Sequence, residues 1–144
     1  MLKAMSDLPL TGGCLCGGVR FEISAPLVSA GYCHCTRCQR RSGTAASASA
    51  LVEPGAVVVT EGEEHLRGWT PPGGREKVFC DACGSALLIR DPASGEIVGV
   101  RMGAFDADPG VRPSARQFVA YAAPWEPIPD DGLPRYDELL PQRT

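Results

Sequence analysis

The seven cysteines constrain this chain more than any other feature, because they fall into three short clusters: Cys14 and Cys16; Cys33, Cys35 and Cys38; Cys80 and Cys83. The densest stretch, Tyr32-Cys33-His34-Cys35-Thr36-Arg37-Cys38-Gln39-Arg40-Arg41, places three thiols within six residues, closer than packing alone requires. An odd count leaves one thiol over in any all-disulfide scheme, and spacings this short favour metal over a disulfide framework. Two thiolates on a tetrahedral zinc, at about 2.3 Å each, sit roughly 3.8 Å apart, a separation that Cys-x-Cys and Cys-x-x-Cys both reach. Three thiolates hold a metal and leave one position free.

The chain has 144 residues, the size of one domain. Its 17 glycines and 13 prolines argue for short elements joined by many turns, not for long helices. A net charge of -3 offers no general attraction for phosphate backbones or anionic membranes, so nucleic acid is disfavoured as a partner. No run approaches the ~20 apolar residues that span a bilayer, and residues 1–10 lack the pattern of a signal peptide. The expectation is a cytoplasmic protein with a flexible N-terminal segment 1–10 and a single domain 11–144. Its tail, 124–144, is expected to lie extended over the body, since Pro124, Pro127 and Pro129 exclude regular structure.

Alternation of apolar and polar side chains predicts strands over 19–24, 28–33, 46–52, 57–60, 65–69, 75–79, 86–90, 97–102 and 117–121. The stretch 11–18 reads as a turn-rich entry, with Cys14 and Cys16 on one side if its backbone is extended. One or two helical turns are predicted over 36–42, capped by Thr36 and stopped by Gly43. The fold class is therefore all-β or β-rich.

Cys16-Gly17-Gly18-Val19 and Cys83-Gly84-Ser85-Ala86 echo one another, each following a cysteine with glycine and a small residue before a strand. The echo pairs the first cluster with the third. Cys14, Cys16, Cys80 and Cys83 would then close a four-thiolate site across about 65 residues, leaving Cys33, Cys35 and Cys38 as an open three-thiolate site. The competing grouping has the central cluster share a metal with Cys80 and Cys83, which strands Cys14 and Cys16.

Cys-x-Cys, Cys-His-Cys-x-x-Cys with a following Arg and Ser-Gly, Phe-Cys-x-x-Cys-Gly, a late Pro-Trp and Leu-Pro-x-Tyr together resemble the glutathione-dependent formaldehyde-activating enzyme (GFA) family, which also includes centromere protein V. The resemblance runs from about Thr11 to Tyr136. It implies the β-tent fold, small antiparallel sheets clasping zinc, shared with zinc-binding exchange-factor chaperones and methionine-sulfoxide reductase B. It further implies a structural zinc at Cys14, Cys16, Cys80 and Cys83 and a catalytic zinc at Cys33, Cys35 and Cys38. The implied reaction condenses glutathione with formaldehyde, catalogued in reverse as a carbon–sulfur lyase.

A zinc with three thiolates is a weak Lewis acid but binds and deprotonates an incoming thiol well. The partners expected are therefore a small thiol, glutathione or another, and a small carbonyl compound; the assembly state stays open, a homodimer being one option. Arg37, Arg40 and Arg41 stand beside the open site as candidate ligands for glutathione carboxylates, against the plainer reading of a solvated helix face. Trp125 is a candidate wall of the pocket, or else a buried aromatic pinning the tail. His34 is expected to hydrogen-bond or pack, and His65 to lie on the surface. Two other functions compete: a non-catalytic zinc module used for binding, and a methionine-sulfoxide type reductase, which would need a free nucleophilic cysteine.

Overall fold

The computed structural model describes residues 7–141, so most of the segment expected to be flexible, residues 1–6, lies outside the described residues. The strands are β1 (Leu10–Gly13), β2 (Arg20–Ile23), β3 (Ser29–Cys33), β4 (Ser47–Leu51), β5 (Val57–Glu61), β6 (Leu66–Trp69), β7 (Glu76–Cys80), β8 (Ala86–Arg90), β9 (Ile97–Arg101) and β10 (Arg116–Gln117). One helix, α1 (Thr36–Ser42), and three single 3-10 turns accompany them. The β-rich class read from alternation holds. Among the described residues no helix is long and apolar enough to cross a membrane.

The strands form a three-stranded sheet in the order β1-β2-β5 and a seven-stranded sheet in the order β10-β3-β4-β9-β8-β7-β6. Every pairing is antiparallel except β10 with β3. Period-2 alternation divides the large sheet into two faces with different duties. Ala30, Ala50, Val100, Leu88 and Val78 lie side by side across five strands and are all buried. They pack with Phe21 and Ile23 of the small sheet, and with Val19 just before it, into one core. The opposite phase carries Cys33 beside Ser47, Ser49 beside Arg101, and Ile89 between Gly99 and Lys77. That second face is the polar one.

Several local expectations fail for identifiable reasons. Residues 11–13 are strand, not turn: a Cβ on Gly12 would collide with the Ala104 carbonyl and the Phe21 ring, so this glycine permits close packing of β1 on its neighbours. Cys14 to Gly17 is a turn, not extended backbone, closed by the Gly17 N–H donating to the Cys14 carbonyl at 3.1 Å. His65 ends a 3-10 turn, Glu63–His65, ahead of β6. The last predicted strand shrinks to two residues because Phe118 adopts φ 58°, ψ 36°, left-handed backbone that turns the chain out of the sheet.

Residues 134 and 136 pair with the edge of the large sheet at Arg116. The Arg116 N–H donates to the Pro134 carbonyl and the Tyr136 N–H to the Arg116 carbonyl, each at 2.9 Å. Edge groups of β10 that would otherwise face solvent are thereby satisfied.

Candidate metal centres and the face beside them

Cys14, Cys16, Cys80 and Cys83 converge because two similar turns face each other. Gly17 and Gly84 both adopt φ 78°, the left-handed conformation that glycine enters without penalty, and each folds its N–H back onto the first cysteine of its own cluster. Ser85 ties the two turns together: its hydroxyl accepts from the Leu15 N–H at 3.0 Å and lies 3.2 Å from Cys83 Sγ. Cys14 Sγ is 3.5 Å from Cys16 Sγ, Cys16 Sγ is 3.9 Å from Cys80 Sγ, and all four sulfurs lie within 4.8 Å of one another. This spread brackets the roughly 3.8 Å of a tetrahedral zinc thiolate.

The electrostatics of the four-sulfur set also fit a cation. Ser85 hydroxyl and backbone hydrogen bonds hold Cys83 at about 5. Cys16, although it receives a hydrogen bond from the Gly18 backbone, is pushed up to about 11 by the sulfurs of Cys14 and Cys83. Crowded thiolates resist ionising together, and a divalent ion removes that conflict.

Cys33, Cys35 and Cys38 form the second group, with their sulfurs also within 4.8 Å. Strand β3 delivers Cys33 at its end. Cys35 is the N-cap of α1, a role expected of Thr36, and its sulfur accepts the Cys38 N–H at 3.3 Å. Gly43 ends the helix in left-handed conformation as predicted, its N–H donating to the Gln39 carbonyl at 2.8 Å. Hydrogen bonding from Cys33 lowers Cys38 to about 5 against the opposing effect of burial, helped by Ser47 on β4 and the Arg101 charge. Cys33 is pushed up in exchange. Among the described residues no fourth His, Cys, Asp or Glu joins these three sulfurs, and the sulfurs group as four and three.

Both histidines are occupied elsewhere. His34 is only 3% exposed, and its Nε2 lies 3.1 Å from Arg116 Nη1. A guanidinium only donates, so Nε2 accepts and His34 is neutral with its proton on Nδ1. Burial, then the Arg116 charge, lowers its pKa. Arg116 also stacks on the Tyr32 ring at 4.3 Å and pairs with Asp131 at 2.7 Å, so it joins β3 to the tail. His65 pairs with Asp81 at 3.1 Å and is half-exposed.

The three candidate arginines of α1 diverge. Arg37 donates to the Pro72 carbonyl at 3.0 Å, tying the helix to the 70–75 loop, and the Arg41 guanidinium lies 5.8 Å from the Phe79 ring centroid. Arg40 lines an open hollow with Thr36, Gln39, Gly43, Thr44 and Trp125. With 3.6 residues per turn, Arg40 stands about 200° round the helix from Cys38, so this hollow is on the far flank of α1. Trp125 is 64% exposed there and does not pin the tail by burial.

Two cations missed in the sequence share the sheet face of Cys33. Arg101 donates to Ser49 Oγ at 2.9 Å, and its pKa is lowered by burial while the charges of Cys38, Cys33 and Cys35 work the other way. Lys77 is half-buried on the same face, with its pKa lowered by burial and then by Arg101. The signal available for both was strand phase. Each sits at the polar phase of its strand; the register sets Arg101 opposite Ser49, two residues from the Cys33 partner Ser47, and Lys77 on the same face in the row of Ile89 and Gly99.

Residues 9–121 match the family model described as glutathione-dependent formaldehyde-activating enzyme. A protein of Halomonas elongata, named provisionally as a glutathione-dependent formaldehyde-activating enzyme, is 35% identical over 107 residues, covering 69% of this chain and 67% of its own. The fold is similar to a crystal structure of a Rhodobacter sphaeroides protein at a TM-score of 0.53 and 24% identity, covering 88% of this chain and 98% of that one.

Proposed function

The chain belongs to the glutathione-dependent formaldehyde-activating enzyme family, and from that premise we propose a zinc-dependent carbon–sulfur lyase-type enzyme that joins glutathione, or a similar small thiol, to formaldehyde or a related carbonyl. The observation that carries this reading is the separation of the sulfurs into a set of four and a set of three. Cys14, Cys16, Cys80 and Cys83 would hold a structural zinc within the β-tent arrangement that the family implies. Cys33, Cys35 and Cys38 would hold the second. A reducing cytoplasm suits such a chain.

Cys33, Cys35 and Cys38 would hold the zinc, which would supply a site able to lower the pKa of an incoming thiol. The chain's own residues fix that site. The end of β3 and the first turn of α1 present the three sulfurs from rigid elements, and the Cys38 N–H and Ser47 hydroxyl stabilise them as thiolates. In the forward reaction a bond forms between the glutathione sulfur and the carbonyl carbon. The carbonyl π pair moves onto oxygen, which takes up the proton the thiol gave away; the reverse reaction breaks the same carbon–sulfur bond. Thiols and formaldehyde combine unaided, so positioning accounts for much of the acceleration.

Titrating cobalt-substituted protein with glutathione tests the reading. A changed cobalt spectrum in the wild type, absent in Cys35→Ala, supports it. An unchanged spectrum in the wild type refutes it.

A further inference from the structure

The polar face of the large sheet holds more positive charge than the three thiols need. Arg101 on β9 and Lys77 on β7 belong to the same strand phase as Cys33, and Arg41 approaches from α1. Arg101 is influenced by the charges of Cys38, Arg41, Cys33 and Cys35, and Lys77 by those of Arg101, Cys38 and Cys33, so these groups share one neighbourhood.

Their hydrogen bonding is incomplete. Among the described residues none of the three has a carboxylate partner. Arg101 is bonded to the neutral Ser49 hydroxyl, and Arg41 Nε is buried with no hydrogen-bond partner. All three are part-buried, where an opposite charge is stabilising, and none of the described carboxylates supplies it. Counter-charge for the sulfurs does not account for them: three thiolates around a divalent ion carry a net charge of about -1, which one cation balances. A surplus of roughly two positive charges remains on this face.

We infer that Arg101, Lys77 and Arg41 form a carboxylate receptor, which selects an anionic thiol over a neutral one at the three-thiol site. This rests on the thiol-binding function proposed above and assigns the specificity to strand residues of the sheet. Glutathione carries two carboxylates on flexible arms, whereas 2-mercaptoethanol presents the same thiol chemistry with none. Arg37 supports the receptor indirectly by holding the 70–75 loop against α1.

The test is calorimetric titration of fully zinc-loaded protein with each thiol, comparing wild type with Lys77→Met and Arg101→Gln after metal analysis of each. The wild type should bind glutathione at least about tenfold more tightly than 2-mercaptoethanol. Each variant should lose about tenfold in glutathione affinity, the scale of one charge-assisted hydrogen bond, while 2-mercaptoethanol affinity holds within about twofold. Variants that bind glutathione like the wild type overturn the receptor and leave the thiol-binding function standing. Equal loss of both thiols with metal retained also overturns it, since the cations would then serve only the thiolates. A wild type that binds neither thiol refutes the underlying function and the receptor together. If Arg101→Gln loses metal, Lys77→Met, whose side chain bonds to no sulfur, decides the matter by the same comparison.

Discussion

Replacing Arg116 by methionine tests how the three-thiol stretch is held in place. The side chain, 7% exposed, donates to His34 Nε2 at 3.1 Å, pairs with Asp131 and lies 4.3 Å from the Tyr32 ring centroid. Methionine keeps much of the apolar stem, so the loss is in the charged head. His34 Nε2 would be left buried without a donor, a penalty of about 1–3 kcal/mol. The cation–π contact adds about 0.5–1 kcal/mol. Against this, Arg116 Nε is itself buried without a partner, and its removal returns about 1 kcal/mol. Asp131 faces solvent, so its pairing adds little. The expected net loss is about 0.5–3 kcal/mol, read from the urea midpoint and slope of the zinc-loaded protein. His34→Phe in the Arg116→Met background should recover part of it, because the orphaned acceptor disappears. A loss below about 0.5 kcal/mol, or no recovery, would show that the His34–Arg116 bond does not hold this stretch.

Three further outcomes are expected. Gly12→Ala should cost about 1–3 kcal/mol in chemical denaturation, because its Cβ meets the Ala104 carbonyl and the Phe21 ring; an unchanged midpoint would contradict the close approach. Leu88→Ala, in the buried row across the large sheet, should cost about 2–5 kcal/mol by the same assay, and a surface-like loss under about 0.5 kcal/mol would place the core elsewhere. Hydrogen bonds from Arg20 and Thr11 hold the Asp106 carboxyl below its ordinary value of 3.8. The stability this adds is complete above 3.8 and disappears as pH falls through the lower folded value. The excess stability of wild type over Asp106→Asn should therefore stay constant from neutral pH down to that region and shrink below it; a gap that closes near neutral pH would contradict the pairing.

Much of the site was legible because its signals are local. Cysteine spacing marked both sulfur groups, and the Cys-Gly echo paired the first cluster with the third because the same left-handed glycine turn is built twice. Strand phase separated core from surface in β2 and β7. What stayed hidden depends on contacts between distant residues or on single backbone conformations. Gly12 looked like a turn residue because the ring that demands its missing Cβ comes from β2. Cys35 displaced Thr36 as helix cap because its sulfur, already aimed at the cluster, also reaches the Cys38 N–H. The left-handed Phe118 has no signal in an apolar run. Arg37, Arg40 and Arg41 drew attention by adjacency to the cysteines, yet helix geometry spreads them round α1, whereas the sheet puts Arg101 and Lys77 on the same face as Cys33 from far along the chain.

Metal analysis of the zinc-loaded chain and of Cys35→Ala tests the division into a closed and an open centre most directly. The expected result is two zinc ions per wild-type chain, falling to one in Cys35→Ala with the β-rich circular dichroism spectrum and cooperative unfolding retained. A single zinc in the wild type, or loss of folding in Cys35→Ala, would contradict it.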